Sequence, residues 1–284
     1  MREPQATHPG SMPANDPRDG GVAPKHPGSK GPRLFADSAV RSDIERLFRA
    51  GIINGITTTP RLLRDAGARS WDEAKGIVRD LCALVQPHPV SVALTETAVD
   101  GMVRQAEELA KLGDNAMVTV PIGGYRAVTP GADPYTGIKV MRRLWERGIK
   151  VNTTLVFSTT QALWAANAGA VYISPFLSPA AGHGDPQEEV ERGLDDSTCW
   201  VDAPENPNGG QIMRDREYEG SSGPLKDAGA RLILEIATVF ADYEIETEIL
   251  VASFGNPVQL TECLLAGADV LTVPAGELAT AFGK

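Results

Sequence analysis

Two hydrophobic periods take turns along this chain. Short apolar runs, rich in β-branched residues, are each followed by a polar turn and then by a stretch with apolar residues every three or four positions. The runs read as buried strands and the stretches as amphipathic helices. Leu34 to Ala36 is the first strand, ending at Asp37, and Ser42 caps a helix through about Arg49. Gly55 to Thr57 is the second strand, and Thr59-Pro60 opens the next helix with proline in its first turn. A further helix spans Ser70 to Val85 with the capping pair Ser70 and Glu73. Strand three is Val90 to Leu94, and a helix follows over Thr97 to Leu112. Met117 to Pro121 is strand four, closed by a proline that cannot continue a ladder. After a helix around Ile138 to Trp145 comes strand five, Lys150 to Phe157, with its helix over Thr159 to Ala168. Strand six is Ala170 to Ser174, and Leu225 to Tyr243 is a long helix. Glu248 to Ala252, a helix from Asn256 to Ala266, Ala268 to Thr272 and a short helix from Gly276 to Phe282 complete the series.

Eight strands, each followed by helical sequence, predict an α/β fold: a single (β/α)8 TIM barrel over residues 33–284. No G-x-G-x-x-G follows a strand, which weighs against a dinucleotide site. Two segments break the rhythm. Residues 1–32 carry Pro4, Pro9, Pro13, Pro17, Pro24, Pro27 and Pro32 among glycines, with few apolar residues, and read as a disordered tail. Between strand six and its helix lies a long loop, Pro175 to Pro224, where most such loops have about two to six residues. A loop of this length at the catalytic face suggests a lid or an oligomer contact, with plain disorder as the alternative, against which Trp200 and Tyr218 weigh.

Charge narrows the partners. With 27 Lys and Arg against 37 Asp and Glu, the chain carries −10 and offers no basic face for nucleic acid. No apolar run is long enough for a membrane span, and no signal-peptide core appears. Three scattered cysteines, Cys82, Cys199 and Cys263, suit a reducing compartment, so a soluble cytoplasmic protein is expected. The four histidines are far apart, and neither C-x-x-C nor H-E-x-x-H occurs, so no metal or other cofactor is expected.

In such barrels chemistry sits at the C-terminal strand ends. The residues there are Asp37, Thr57 to Thr59, Ala93 to Glu96, Thr119, Asn152 to Phe157, Ser174 and Ser253. The chain resembles the transaldolase and fructose-6-phosphate aldolase family from Leu34 to about Val273. Phe35-Ala36-Asp37-Ser38 looks like the family's first-strand L-D-T/S, and Gly55-Ile56-Thr57-Thr58-Thr59-Pro60 looks like G-V-T-T-N-P. Asn152-Thr153-Thr154-Leu155-Val156-Phe157-Ser158 is similar to N-x-T-L-x-F-S. Ile173-Ser174-Pro175-Phe176 and Ala252-Ser253-Phe254 are similar to the sixth and seventh strands. The fourth strand looks like V-K-V-P, whose lysine forms a Schiff base with the substrate ketone in that family. Its place is held here by Thr119.

The resemblance implies a small-molecule substrate and, with no long arm beyond the last strand, a monomer or homodimer. It also marks departures. The second-strand asparagine is Thr59, the third-strand residue that holds water is Ala93 with Glu96 three residues on, and the family's phosphate ligands fall near Pro179 and Gly255. A threonine hydroxyl cannot form an iminium. Three readings stay open. One is an enzyme with altered, imine-free chemistry on a non-phosphorylated carbonyl or polyol: aldol or retro-aldol, isomerisation or cyclisation. Asp37, Thr119 and Thr154 would then be catalytic, and Thr59, Glu96, Asn152, Phe157, Ser174 and Ser253 would bind substrate. The others are a non-catalytic binding or scaffold protein and an aldolase with a relocated lysine.

Overall fold

The computed structural model describes residues 25–123, 133–175, 177, 228–252 and 257–280. Eight parallel strands close into a barrel in sequence order. They are β1 (Arg33–Asp37), β2 (Ile56–Thr58), β3 (Val90–Ala93), β4 (Ala116–Pro121), β5 (Val151–Val156), β6 (Tyr172–Pro175), β7 (Glu248–Val251) and β8 (Val270–Pro274). Between and after them run α1 (Arg41–Arg49), α2 (Pro60–Asp65), α3 (Trp71–Val85), α4 (Val99–Leu109), α5 (Thr136–Trp145), α6 (Thr159–Asn167), α7 (Ala228–Asp242), α8 (Pro257–Leu265) and α9 (Ala275–Thr280). The eightfold strand reading therefore holds. Most of the Pro175–Pro224 loop lies outside the described residues.

Local chemistry explains several boundaries. Thr59 accepts a hydrogen bond from the Leu62 N–H and caps α2 with Pro60 in its first turn, and Ser70 caps α3 through Glu73 N–H. Ser42 lies inside α1 and does not cap it; the Ser38 hydroxyl accepts from Val40 N–H just ahead of that helix.

Apolar side chains fill two spaces. The larger core lies between strands and helices and includes Ile56, Val92, Val118, Val156, Ile173 and Val251. A smaller cluster of Phe35, Met117, Tyr172, Leu250 and Val270 fills the barrel interior. Gly55 is required there: a Cβ would sit 2.6 Å from the Phe35 ring, so the missing side chain makes room for the phenyl group.

The N-terminal end of the barrel is sealed by charge. Arg33 pairs with Glu248 and donates to the Tyr172 hydroxyl at 3.3 Å. Residues 25–32, expected in the tail, are described; His26 and Gly28 pack on this end, while Lys25, Pro27, Lys30 and Pro32 are exposed. His26 is buried, with Nε2 2.7 Å from Asp269 Oδ2, and the Phe240 ring stands edge-on to its imidazole at 5.8 Å. The Asp269 oxygen that meets His26 also accepts from Ile249 N–H at 2.8 Å. The folded unit therefore includes Lys25 to Pro32, ahead of the Arg33 boundary read from the sequence; residues 1–24 lie outside the described residues.

Candidate active site

Strand alternation sends every second side chain inward, and parallel register decides which of them meet. Near the C-terminal end, the inward positions are polar on seven of the eight strands. One group is built on β1, β2 and β8. Asp37 lies opposite Thr57 in the register, and the Thr57 hydroxyl donates to Asp37 Oδ1 at 2.7 Å. Thr57 and Thr272 share a short hydroxyl–hydroxyl contact. Since Thr57 spends its hydrogen on the carboxylate, Thr272 is the donor to Thr57. Burial pushes the Asp37 carboxyl above the usual carboxylate range, and the Thr57 hydrogen bond opposes part of that rise.

The second group spans β3 to β6. Ser91 and Thr119 share a hydrogen bond of 2.7 Å, Asn152 Nδ2 donates to Ser91 at 3.4 Å, and the Ser174 hydroxyl donates to Asn152 Oδ1 at 3.0 Å. Ser91, Asn152 and Ser174 are buried, while Thr119 keeps partial exposure. The two groups adjoin because Thr57 and Ser91 are register partners. Together they line most of the barrel circumference with hydroxyls, one carboxamide and one carboxylate.

The remaining expected residues divide. Thr154 lies opposite Pro121 at the end of β5 and is half-buried. The β5–β6 register shifts around it, between Thr153 and Val156, and Leu155 takes a left-handed φ of 58°. That conformation costs a non-glycine residue roughly 1–2 kcal/mol. The irregularity is followed by Phe157, which is buried and whose N–H donates to Gln161 Oε1 at 2.7 Å. Thr59 is exposed and uses its hydroxyl as the α2 cap. Glu96 is exposed as well; its carboxylate lies over Gly101 in the first turn of α4, where a Cβ would sit 2.5 Å from Oε2. Ser253 lies outside the described residues. Ser91 and Thr272 were not picked out by the sequence reading, although each is a lone hydroxyl inside an apolar strand at an inward position.

Among the described residues the cations lie elsewhere. The described strands carry one, Arg33, and it is held by Glu248 at the opposite end. Of the described lysines, Lys25, Lys30, Lys111, Lys139 and Lys150 are exposed, and Lys75 on α3 pairs with Asp72 and Glu108. Among the described residues no group of three or more His, Cys, Asp or Glu could hold a metal ion, and no helix is long and apolar enough to cross a membrane.

Known proteins resemble this chain across nearly the whole barrel. The family model for transaldolase/fructose-6-phosphate aldolase matches residues 34–282. A "Probable transaldolase" of Desulforapulum autotrophicum is 33% identical over 242 residues, covering 85% of this chain and 86% of that protein. A "Probable transaldolase" of Aquifex aeolicus is 34% identical, covering 85% of each chain. Another from Thermoplasma volcanium is 32% identical, covering 85% of this chain and 84% of its own. The chain belongs to the transaldolase/fructose-6-phosphate aldolase family.

Proposed function

We propose that this protein is an enzyme of carbonyl chemistry that works without an imine, on a small carbonyl or polyol compound that carries no essential phosphate. Asp37 carries the reading. A carboxyl inside the barrel mouth, pushed above the usual carboxylate range by burial and oriented by Thr57, is suited to exchange a proton with a substrate. In an enolisation or retro-aldol step, Asp37 takes a proton from the substrate and the electron pair moves to the carbonyl oxygen. Hydroxyl donors on the barrel wall then stabilise that oxygen. Thr119 and Thr154 are assigned this contact, with Asn152 and Ser174 behind Thr119 and Phe157 beside the mouth.

The absence of an imine is supported by the chemistry of position 119. A lysine amine condenses with a ketone; a threonine hydroxyl does not. The exposed or helix-bound placement of the described lysines points the same way. The absence of an essential phosphate is supported by the wall opposite Asp37, which among the described residues is polar but uncharged, since phosphate recognition ordinarily uses arginine or lysine.

Two measurements test the reading. In deuterium oxide, the protein should catalyse solvent exchange into the carbon-bound hydrogens of dihydroxyacetone, followed by proton NMR. Asp37→Asn should abolish that exchange. Incubation with dihydroxyacetone, fructose or fructose 6-phosphate and borohydride should leave the intact mass unchanged. A trapped adduct overturns the imine-free reading, and an Asp37→Asn protein with the wild-type exchange rate overturns the acid–base assignment.

A further inference from the structure

We infer that Ser91 is a positioning residue whose hydrogen bond turns the Thr119 hydroxyl hydrogen toward the barrel mouth, making Thr119 a directed donor to a substrate carbonyl oxygen. The inference rests on the proposed acid–base reading of the same site and adds a direction to its hydrogen bonds.

Counting hydrogens supplies that direction. Ser174 has one hydroxyl hydrogen and donates it to Asn152 Oδ1, a carbonyl oxygen that can only accept. Asn152 in turn donates from Nδ2 to Ser91 Oγ. Ser91 therefore acts as acceptor toward Asn152; among the described residues its own hydrogen has one remaining partner, Thr119 at 2.7 Å, and Ser91 is assigned as the donor of that bond because the reverse direction would leave a buried O–H without an acceptor. Thr119 accepts there and is left with its hydroxyl hydrogen free. It is also the member of the chain that is partly open, whereas Ser91 is 0% and Asn152 3% exposed. Three buried groups on β3, β5 and β6 thus point their donors in sequence toward one half-open hydroxyl on β4. Each bond polarises the next, so the terminal O–H is a stronger donor than an isolated threonine. Burial of the other three keeps water from competing for the chain. Ser91 does not itself reach substrate and acts through Thr119.

The test uses the full-length protein and dihydroxyacetone, with deuterium exchange as readout and a melting curve for every variant. Thr119→Val should lower kcat about a hundredfold, the usual loss for one donor to a developing oxyanion, while Thr119→Ser retains most of the rate. Ser91→Ala should lower kcat about tenfold through misorientation of Thr119, with KM nearly unchanged. Asn152→Asp gives the sharpest outcome. A carboxylate accepts from both Ser174 and Ser91, so Thr119 must donate to Ser91 and its free hydrogen is lost. Its exchange rate should fall to that of Thr119→Val although every hydroxyl remains. If wild type exchanges and Asp37→Asn does not, but Ser91→Ala and Asn152→Asp, folded by their melting curves, keep the wild-type kcat, the inference is overturned and the acid–base reading survives. If wild type shows no exchange, both are overturned.

Discussion

His26 to Ala is the most informative single change to the fold, because it tests whether the Lys25–Pro32 segment is part of the barrel. The imidazole is buried under the N-terminal ends of β7 and β8. It meets Asp269 Oδ2 at 2.7 Å and packs edge-on against Phe240 of α7. A hydrogen bond to a carboxylate contributes about 1.5–3 kcal/mol, and an edge-to-face ring pair about 0.5–1.5 kcal/mol. Asp269 keeps its second partner, the Ile249 N–H, so it is not left bare when His26 is removed. The sum is roughly 2–4 kcal/mol. For a domain of this size each kcal/mol moves Tm by about 2–4 °C, so His26→Ala should melt roughly 5–15 °C below wild type. A chain starting at Gly31 should lose at least as much, since it also lacks Gly28, whose Cα lies so close to Glu246 that a Cβ would sit 1.8 Å from the carbonyl oxygen. The cycle of His26→Ala, Asp269→Asn and the double variant isolates the pair. A Tm within about 1 °C of wild type for His26→Ala, against a per-kcal shift of that order or more, would refute the reasoning and return the segment to the tail.

The other perturbations probe the site and its supports. Burial makes the native protein hold the Asp37 proton more tightly than the unfolded chain does, so this group's stabilising contribution is present below the ordinary carboxylate pKa and lost as pH rises through the native value. Asp37→Asn should therefore raise Tm relative to wild type at pH 7, and the gain should vanish below about pH 4; a variant less stable than wild type at pH 7 contradicts this sign. Gly137 on α5 packs onto the end of β4, where a Cβ would sit 2.0 Å from the Pro121 carbonyl oxygen. Gly137→Ala should cost about 1–3 kcal/mol of stability by forcing α5 away from the barrel, read as a lower denaturation midpoint. Burial pushes the Cys82 thiol up to about 11, so it should resist iodoacetamide at pH 8 in the native protein and react in denaturant. Peptide mapping that finds Cys82 alkylated in native protein overturns that assignment.

The barrel was legible because its signals are local and repeated. A β-branched run such as Val118 to Val120, ended by Pro121, reads as a strand wherever it stands, and Ser70 with Glu73 marks a helix start within one turn. The start of the folded unit was not legible. Lys25 to Pro32 has the composition of a tail, and one buried contact between His26 and Asp269, separated by 243 residues, outweighs that composition. Thr59 and Glu96 were picked for their place near strand ends, yet Thr59 serves as a helix cap and Glu96 turns toward α4. Proximity to a strand end fixes where the backbone goes; side-chain direction beyond the strand depends on the turn.

Ser91 and Thr272 show what a stricter use of period two supplies. Register sets Ser91 beside Thr57, and Thr57 beside Asp37, so one inward position on each of three neighbouring strands is polar. Buried hydroxyls in strands otherwise made of valine and leucine cost free energy unless they are paired, and these are paired with one another. Decay of an unused site removes the reason to keep such groups, because valine fills the same volume as threonine without a partner to satisfy. A wall that keeps Ser91, Thr119, Asn152 and Ser174 bonded in series, around an Asp37 held by Thr57 and Thr272, is more consistent with a working surface than with a vacated one. Leu155 adds to that argument from the backbone: a left-handed leucine in the middle of a barrel wall has a cost, and it stands between Thr154 and Phe157, two residues proposed above for the site.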